Sequence, residues 1–180
     1  MPSTPTPLPA AGWYPDPQNE QQLRRWNGFT WTDETTRLNA RPRHVSFSSA
    51  IALAFKGAFT YRGRSTPGEF WWFFLFNILV TLGLYVLMIL TIPTDPLERA
   101  MGNTGAAPFV SFLITIWFIV GLVVLVPLIV RRLHDKDMSG WLAILIPIPI
   151  GSLVLLILLV GAGTPGPNRY GPVPTAWPTT

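Results

Sequence analysis

Residues 131–141, RRLHDKDMSGW, pack two arginines, a histidine, a lysine and two aspartates between two long apolar runs. Four kinds of chemistry are open to such a group. Arg131 and Arg132 can hold phosphate, or complement the dipole of a helix that ends there. Either can pair with Glu69, which stands at the start of another apolar run; if partly buried, such a pair fixes register more than it adds stability. His134 beside Asp135 invites a general base oriented by a carboxylate. Adjacent residues on a helix do not face each other, however, and no recognised motif sets a Ser or Cys nucleophile beside them. A zinc site has little to build on: His44 and His134 are the only histidines, with no HExxH spacing and no cysteine. P-loop and dinucleotide fingerprints are absent. The sequence therefore assigns no catalytic, cofactor or metal residue.

The elements that must carry this turn are written in the distribution of charge. Charged residues make up 12% of the chain, against about 25% in soluble domains. The deficit comes from three uncharged runs, residues 70–92, 109–130 and 141–160. Each is long enough to cross a hydrocarbon layer of about 30 Å as a helix, and none has the polar face of a soluble helix. The predicted spans are about 69–92, 109–131 and 141–161. Pro147, Pro149 and Gly151 interrupt the third, so a broken or re-entrant segment stays open as the alternative and would put the C-terminus inside. No apolar stretch of signal-peptide type precedes residue 70, so the first span is expected to act as an uncleaved signal and anchor.

Of the 13 Lys and Arg, only Arg99 and Arg169 fall on segments this topology places outside. The N-terminus and the 131–140 turn are then cytoplasmic and the tail outside. The basic excess faces anionic headgroups, and this placement argues against nucleic acid as a partner. Within the first span, Asn77, Thr81 and Tyr85 recur every four residues and are expected to meet another helix. Trp71 and Trp72 stand at headgroup depth.

Ahead of the spans, residues 1–11 form a Pro-rich tail and residues 37–45 a basic linker; residues 175–180 close the chain. Residues 46–60 read as a short amphipathic helix, in the plane of the interface or packed on the spans. In residues 12–36, Asn27-Gly28 predicts a two-residue hairpin. It would set Trp26 opposite Phe29 and Arg24 opposite Trp31, with Trp13 and Tyr14 covering that face. These aromatics are either a miniature core or a surface for a protein partner. Arg24 could also lie over a ring.

That module, with GWYPDP at residues 12–17, then Leu23, Arg24, Trp26, Gly28, Trp31 and Thr32, resembles domain of unknown function 2510. Residues 61–174 resemble domain of unknown function 805, the YhaH-like bacterial inner-membrane proteins. The matches are Gly63, Arg64, Glu69, Phe70 and Trp71; Arg131, Arg132, Leu133, His134 and Asp135; Ser139, Gly140 and Trp141; residues 148–151; and Gly163, Gly166, Asn168, Arg169, Tyr170, Gly171, Pro172 and Pro174. Pro67 replaces the family's second basic residue and Val173 its aspartate. The resemblance implies an integral inner-membrane protein without an assigned activity.

The expected fold is an all-α bundle of three spans with an interfacial helix and a small β-hairpin module, in the cell membrane. The expected function is a non-enzymatic scaffold or envelope interaction protein using residues 12–36, with self-association of the bundle a further candidate. A small oligomeric transporter or channel subunit is the first alternative. A lipid-acting enzyme is the second.

Overall fold

A computed structural model describes residues 10–38 and 43–175. The expectations for residues 1–9, 39–42 and 176–180 lie outside the described residues.

The N-terminal module is a three-stranded antiparallel sheet in the order β1 (Gly12–Asp16), β2 (Asn19–Trp26), β3 (Trp31–Arg37). The expected two-residue turn is in fact a four-residue loop. Asn27 accepts from the backbone N–H of Phe29 at 2.8 Å and of Thr30 at 2.7 Å, and Gly28 takes φ +102°. Trp26 consequently pairs with Trp31, not Phe29, and an irregularity between Arg24 and Trp26 sets Arg24 opposite Thr35. Phe29 sits in the loop, 84% exposed. Side chains alternate along a strand, so Tyr14 opposes Arg24 while Trp13 opposes Arg25 on the other face. Tyr14 and Trp26 each meet Trp31 edge-on, at 6.4 and 5.4 Å between centroids. Arg24 pairs with Asp16 at 3.2 Å.

Helix α1 (Phe47–Lys56) begins at Ser46, whose hydroxyl accepts from the Ser49 N–H. Ala50 and Ala54 are buried, and small residues at such a contact allow close approach. Phe47 packs edge-on against Trp72 and Phe55 against Phe73, so α1 lies on α2.

Helix α2 (Pro67–Thr91) has a full capping box between Thr66 and Glu69, with Pro67 in its first turn. This explains Pro67 locally: its missing N–H costs nothing at a helix start. Helix α4 (Ala107–Asp135) follows a five-residue helix, α3 (Pro96–Ala100), and runs on through Pro127. At 25 and 29 residues, α2 and α4 are about 37 and 43 Å long. Only 6% of the most apolar stretch of α2 is buried within the molecule, so it is not the core helix of a water-soluble domain. The core lies at one end, where Ala54, Ala58, Phe70, Phe73, Val124, Leu128, Leu133, Leu155 and Leu159 meet.

The third expected span is corrected. Residues 141–161 do not form one crossing helix. They fold as a 3₁₀ segment (Gly140–Leu145), a break through Ile146 to Ile148, and α5 (Pro149–Leu159). Eleven residues of helix reach about 16 Å, roughly half a hydrocarbon layer. Proline lacks the donor that a continuous helix needs, and Gly151 lets α5 close on the first limb. A Cβ there would stand 3.0 Å from the Leu145 carbonyl oxygen.

Candidate functional site: a buried ion network at one end of the bundle

The separate motifs of the sequence meet around Asp135. Arg64 directs all three nitrogens inward. Its Nε reaches Asp135 Oδ1 at 2.9 Å, Nη1 the Gly166 carbonyl at 2.7 Å, and Nη2 the Thr164 carbonyl at 2.8 Å. Arg132 donates to Asp135 Oδ2, to the Leu159 carbonyl at 3.2 Å and to the Gly161 carbonyl. Lys136 reaches the carbonyls of Leu158 and Val160. Arg132 and Lys136 thus supply donors to the last turn of α5 and the residues just after it, the end of a helix that attracts cations. Desolvation first, then Arg132, holds the Lys136 ammonium below the usual lysine range.

Arg64, Arg132 and Asp135 are buried. One carboxylate between two guanidinium groups leaves an excess positive charge, and the ring of carbonyls around it offsets that charge with partial negative ends. Gly163 is required at this point. A Cβ on it would lie 2.0 Å from Asp135 Oδ2.

The tail completes the network. Thr164 N–H donates to the Asp135 carbonyl at 2.8 Å, and Asn168 and Gly171 form a two-residue bridge. Asn168 Nδ2 donates to the His134 carbonyl at 2.8 Å. The Tyr170 ring stacks on His134 at 3.8 Å, with the Arg169 guanidinium 4.8 Å from its centroid. Arg169 also pairs with Asp137 at 3.1 Å. Residues 164–171 therefore sit at the same end of the bundle as Asp135. Placing the C-terminal tail on the opposite side from the 131–140 turn is corrected by these bonds.

His134 and Asp135 do not form a dyad. His134 Nδ1 meets the Gly63 carbonyl at 3.2 Å, and both Asp135 oxygens are taken by arginines. A carbonyl can only accept, so Nδ1 carries a proton. Ser139 starts the 3₁₀ segment by accepting from the Trp141 N–H. Gly140 permits close packing, since a Cβ would stand 2.7 Å from Val130. Trp141 is 85% exposed. It borders an open hollow of about 540 Å³ that Tyr61, His134 and Tyr170 also line.

The expected partner of Glu69 is corrected in part. Its close ion pair is with Arg43 at 2.7 Å, and Arg132 belongs to Asp135. Arg131 lies near enough for the Glu69 charge to act on it. Its carbonyl accepts from the Ser65 N–H at 3.1 Å, and its guanidinium fills the space beside Gly57. Trp71 packs against the core and meets Phe70 edge-on.

Sequence reasoning missed Arg43, Thr164 and Asp16. The first two lie far from their partners in the chain, with no local spacing to betray them. Asp16 sits inside GWYPDP and accepts from the Gln18 N–H at 2.9 Å and from Gln22 Nε2 at 2.6 Å. The Gln18 bond, with Gln22 and Arg24, holds its carboxyl below the usual range against the cost of desolvation.

Comparison with known proteins agrees with this map. Residues 11–44 match the model of a second protein of unknown function, DUF2510. The chain is 40% identical over 124 residues to inner membrane protein YhaH of Escherichia coli K12, covering 66% of this chain and 89% of the relative. It is 35% identical over 112 residues to YhaI of the same organism, covering 62% of this chain and 82% of the relative. No solved structure matches. The chain is an integral membrane protein, and through residues 58–172, which hold the whole Arg64–Asp135–Arg132 network, it belongs to the family described as protein of unknown function DUF805.

Proposed function

We propose that this protein is a non-enzymatic membrane scaffold that presents its β module to a protein partner on the cytoplasmic face. The observation that carries this reading is that the module leaves aromatic rings exposed, while the charged network of the membrane domain is already occupied by internal bonds. In the membrane domain the forks of Arg64 and Arg132 and both oxygens of Asp135 are occupied by internal bonds. In the module, Phe29 and Trp31 remain exposed, and exposed aromatics are the residue type enriched at protein contacts.

The cytoplasmic assignment rests on charge. Arg43, Arg64, Arg131, Arg132, Lys136 and Arg169 all belong to the end built around Asp135 and Glu69. Arg99, on α3, is the one described cation in the loop at the other end. With the tail folded back, Arg169 joins the inner group, and the positive-inside asymmetry is sharper than the three-span reading allowed. The inner end then faces anionic headgroups.

The test is crosslinking in native membranes with the full chain and with a Phe29→Ala, Trp31→Ala double variant. The reading expects a defined partner captured by the first and lost, or reduced at least tenfold, in the second. Equal capture by both would remove the module from the contact and overturn the reading.

A further inference from the structure

The groove between α2 and α4 poses a problem that a single chain does not solve. Asn77 is the eleventh residue of α2, about 15 Å from its start, and Gly121 is the midpoint of α4. Both lie within the hydrocarbon layer. Thr81 accepts from Trp117 Nε1 at 3.2 Å, which joins the two helices and satisfies the indole donor. Asn77 lies against Gly121, whose hydrogen leaves room for it: a Cβ there would come within 2.9 Å of Asn77 Nδ2. Among the described residues the Asn77 amide and the Tyr85 hydroxyl have no hydrogen-bond partner. Tyr85 is half exposed. Both groups line an open hollow of about 150 Å³. Acyl chains offer neither donor nor acceptor, and an unmatched amide in hydrocarbon is costly.

We propose that a second copy of this chain covers the groove and that the two copies pair through the Asn77–Thr81–Tyr85 face. Two features make the face complementary to itself. An amide carries donors and an acceptor, as a phenol does, so a two-fold axis near Asn77 lets each copy give and receive the same bond. The face also carries a knob beside its hollow. Phe118 lines the groove yet stands 64% exposed, and a ring of that size is suited to enter the groove of the partner. Inward-facing polar groups then meet across the pair and leave apolar surface toward lipid.

The chain contains no cysteine, so single-cysteine crosslinking has no background. The full chain carrying Leu122→Cys, next to Gly121 at the level of Asn77 and partly exposed on the same hollow, reconstituted in phosphatidylglycerol–phosphatidylethanolamine vesicles at high lipid dilution, should form disulfide-linked dimers on oxidation. Leu79→Cys lies on the opposite side of α2 and should not. Asn77→Leu in the Leu122→Cys background should weaken association about tenfold, the scale of two interhelical bonds, while Asn77→Gln retains it. Tyr85→Phe removes only a hydroxyl and tests the same face with little risk to folding; it should weaken association by about threefold. Monomers at every lipid dilution would overturn the proposal. So would dimers indifferent to both Asn77→Leu and Tyr85→Phe, because water or lipid would then be filling the hollow, or links formed solely to another protein.

Discussion

Asp135 is the residue on which most of the basic end depends. Removing its charge leaves Arg64 and Arg132 buried beside each other without a counter-ion. Breaking a buried pair by deleting one partner costs about 3–5 kcal/mol, so Asp135→Asn should lower the thermal midpoint in detergent by several degrees. An unchanged midpoint would show that the carbonyl ring alone neutralises the arginines. Gly163→Ala tests the same centre by sterics. The added methyl collides with the Asp135 carboxylate, and the tail beyond it should become sensitive to protease while the helices persist. Asp16 gives the module its own pH signature. Its folded pKa lies below the unfolded one, so its stabilising contribution is complete above the unfolded carboxylate range. That contribution is lost as pH falls through the lowered folded value. Tryptophan fluorescence of the module should show an acid transition that Asp16→Asn removes.

Among the elements, the 3₁₀–α5 hairpin decides the topology. Its composition satisfies a hydropathy window as well as a true span does, because such a window reads apolar content and not chain direction. Two prolines and Gly151 turn the chain back, and Arg132 and Lys136 hold the returning end of α5. A cysteine at Ala162 or Thr175 should therefore react with an impermeant reagent from the same membrane side as one at Arg62. A cysteine at Asn103 should react from the other. Labelling of Ala162→Cys from the Asn103 side would restore a full third crossing. Helix α2 owes its start to a local signal, since Thr66, Pro67 and Glu69 spell a capping box in sequence. Helix α1 is different: its Phe47, Ile51 and Phe55 period shows an apolar face, and only α2 determines that this face is partly covered by Trp72 and Phe73.

Across the whole molecule, two units share one chain. The module has its own sheet, ion pairs and aromatic contacts, and the membrane domain closes its core and its network within residues 43–174. Removing residues 1–37 should leave the midpoint of the membrane domain in detergent within a few degrees of the full chain. A collapse of that midpoint would mean that the module is part of the membrane fold. Much of this division was legible in the chain. The uncharged runs marked α2 and α4, the arginine placement marked one end as basic, and the GWYPDP segment marked a β module. The spans follow from composition because the bilayer acts as a uniform solvent, in which length and hydropathy suffice.

Partner choice was not legible, for a physical reason. Arg43 with Glu69, Arg64 with Asp135 and Gly163 beside the Asp135 carboxylate are separated by 26, 71 and 28 positions, and no periodicity links residues so far apart. Sequence alone determined what kinds of residue each segment carries, and therefore that the protein lives in a membrane and gathers its arginines at one end. Tertiary structure decided which cation meets which carboxylate, that the last apolar run turns back, and that the tail closes over Asp135. Those outcomes depend on packing and on the need of every buried donor and acceptor for a partner, which only the folded chain can settle.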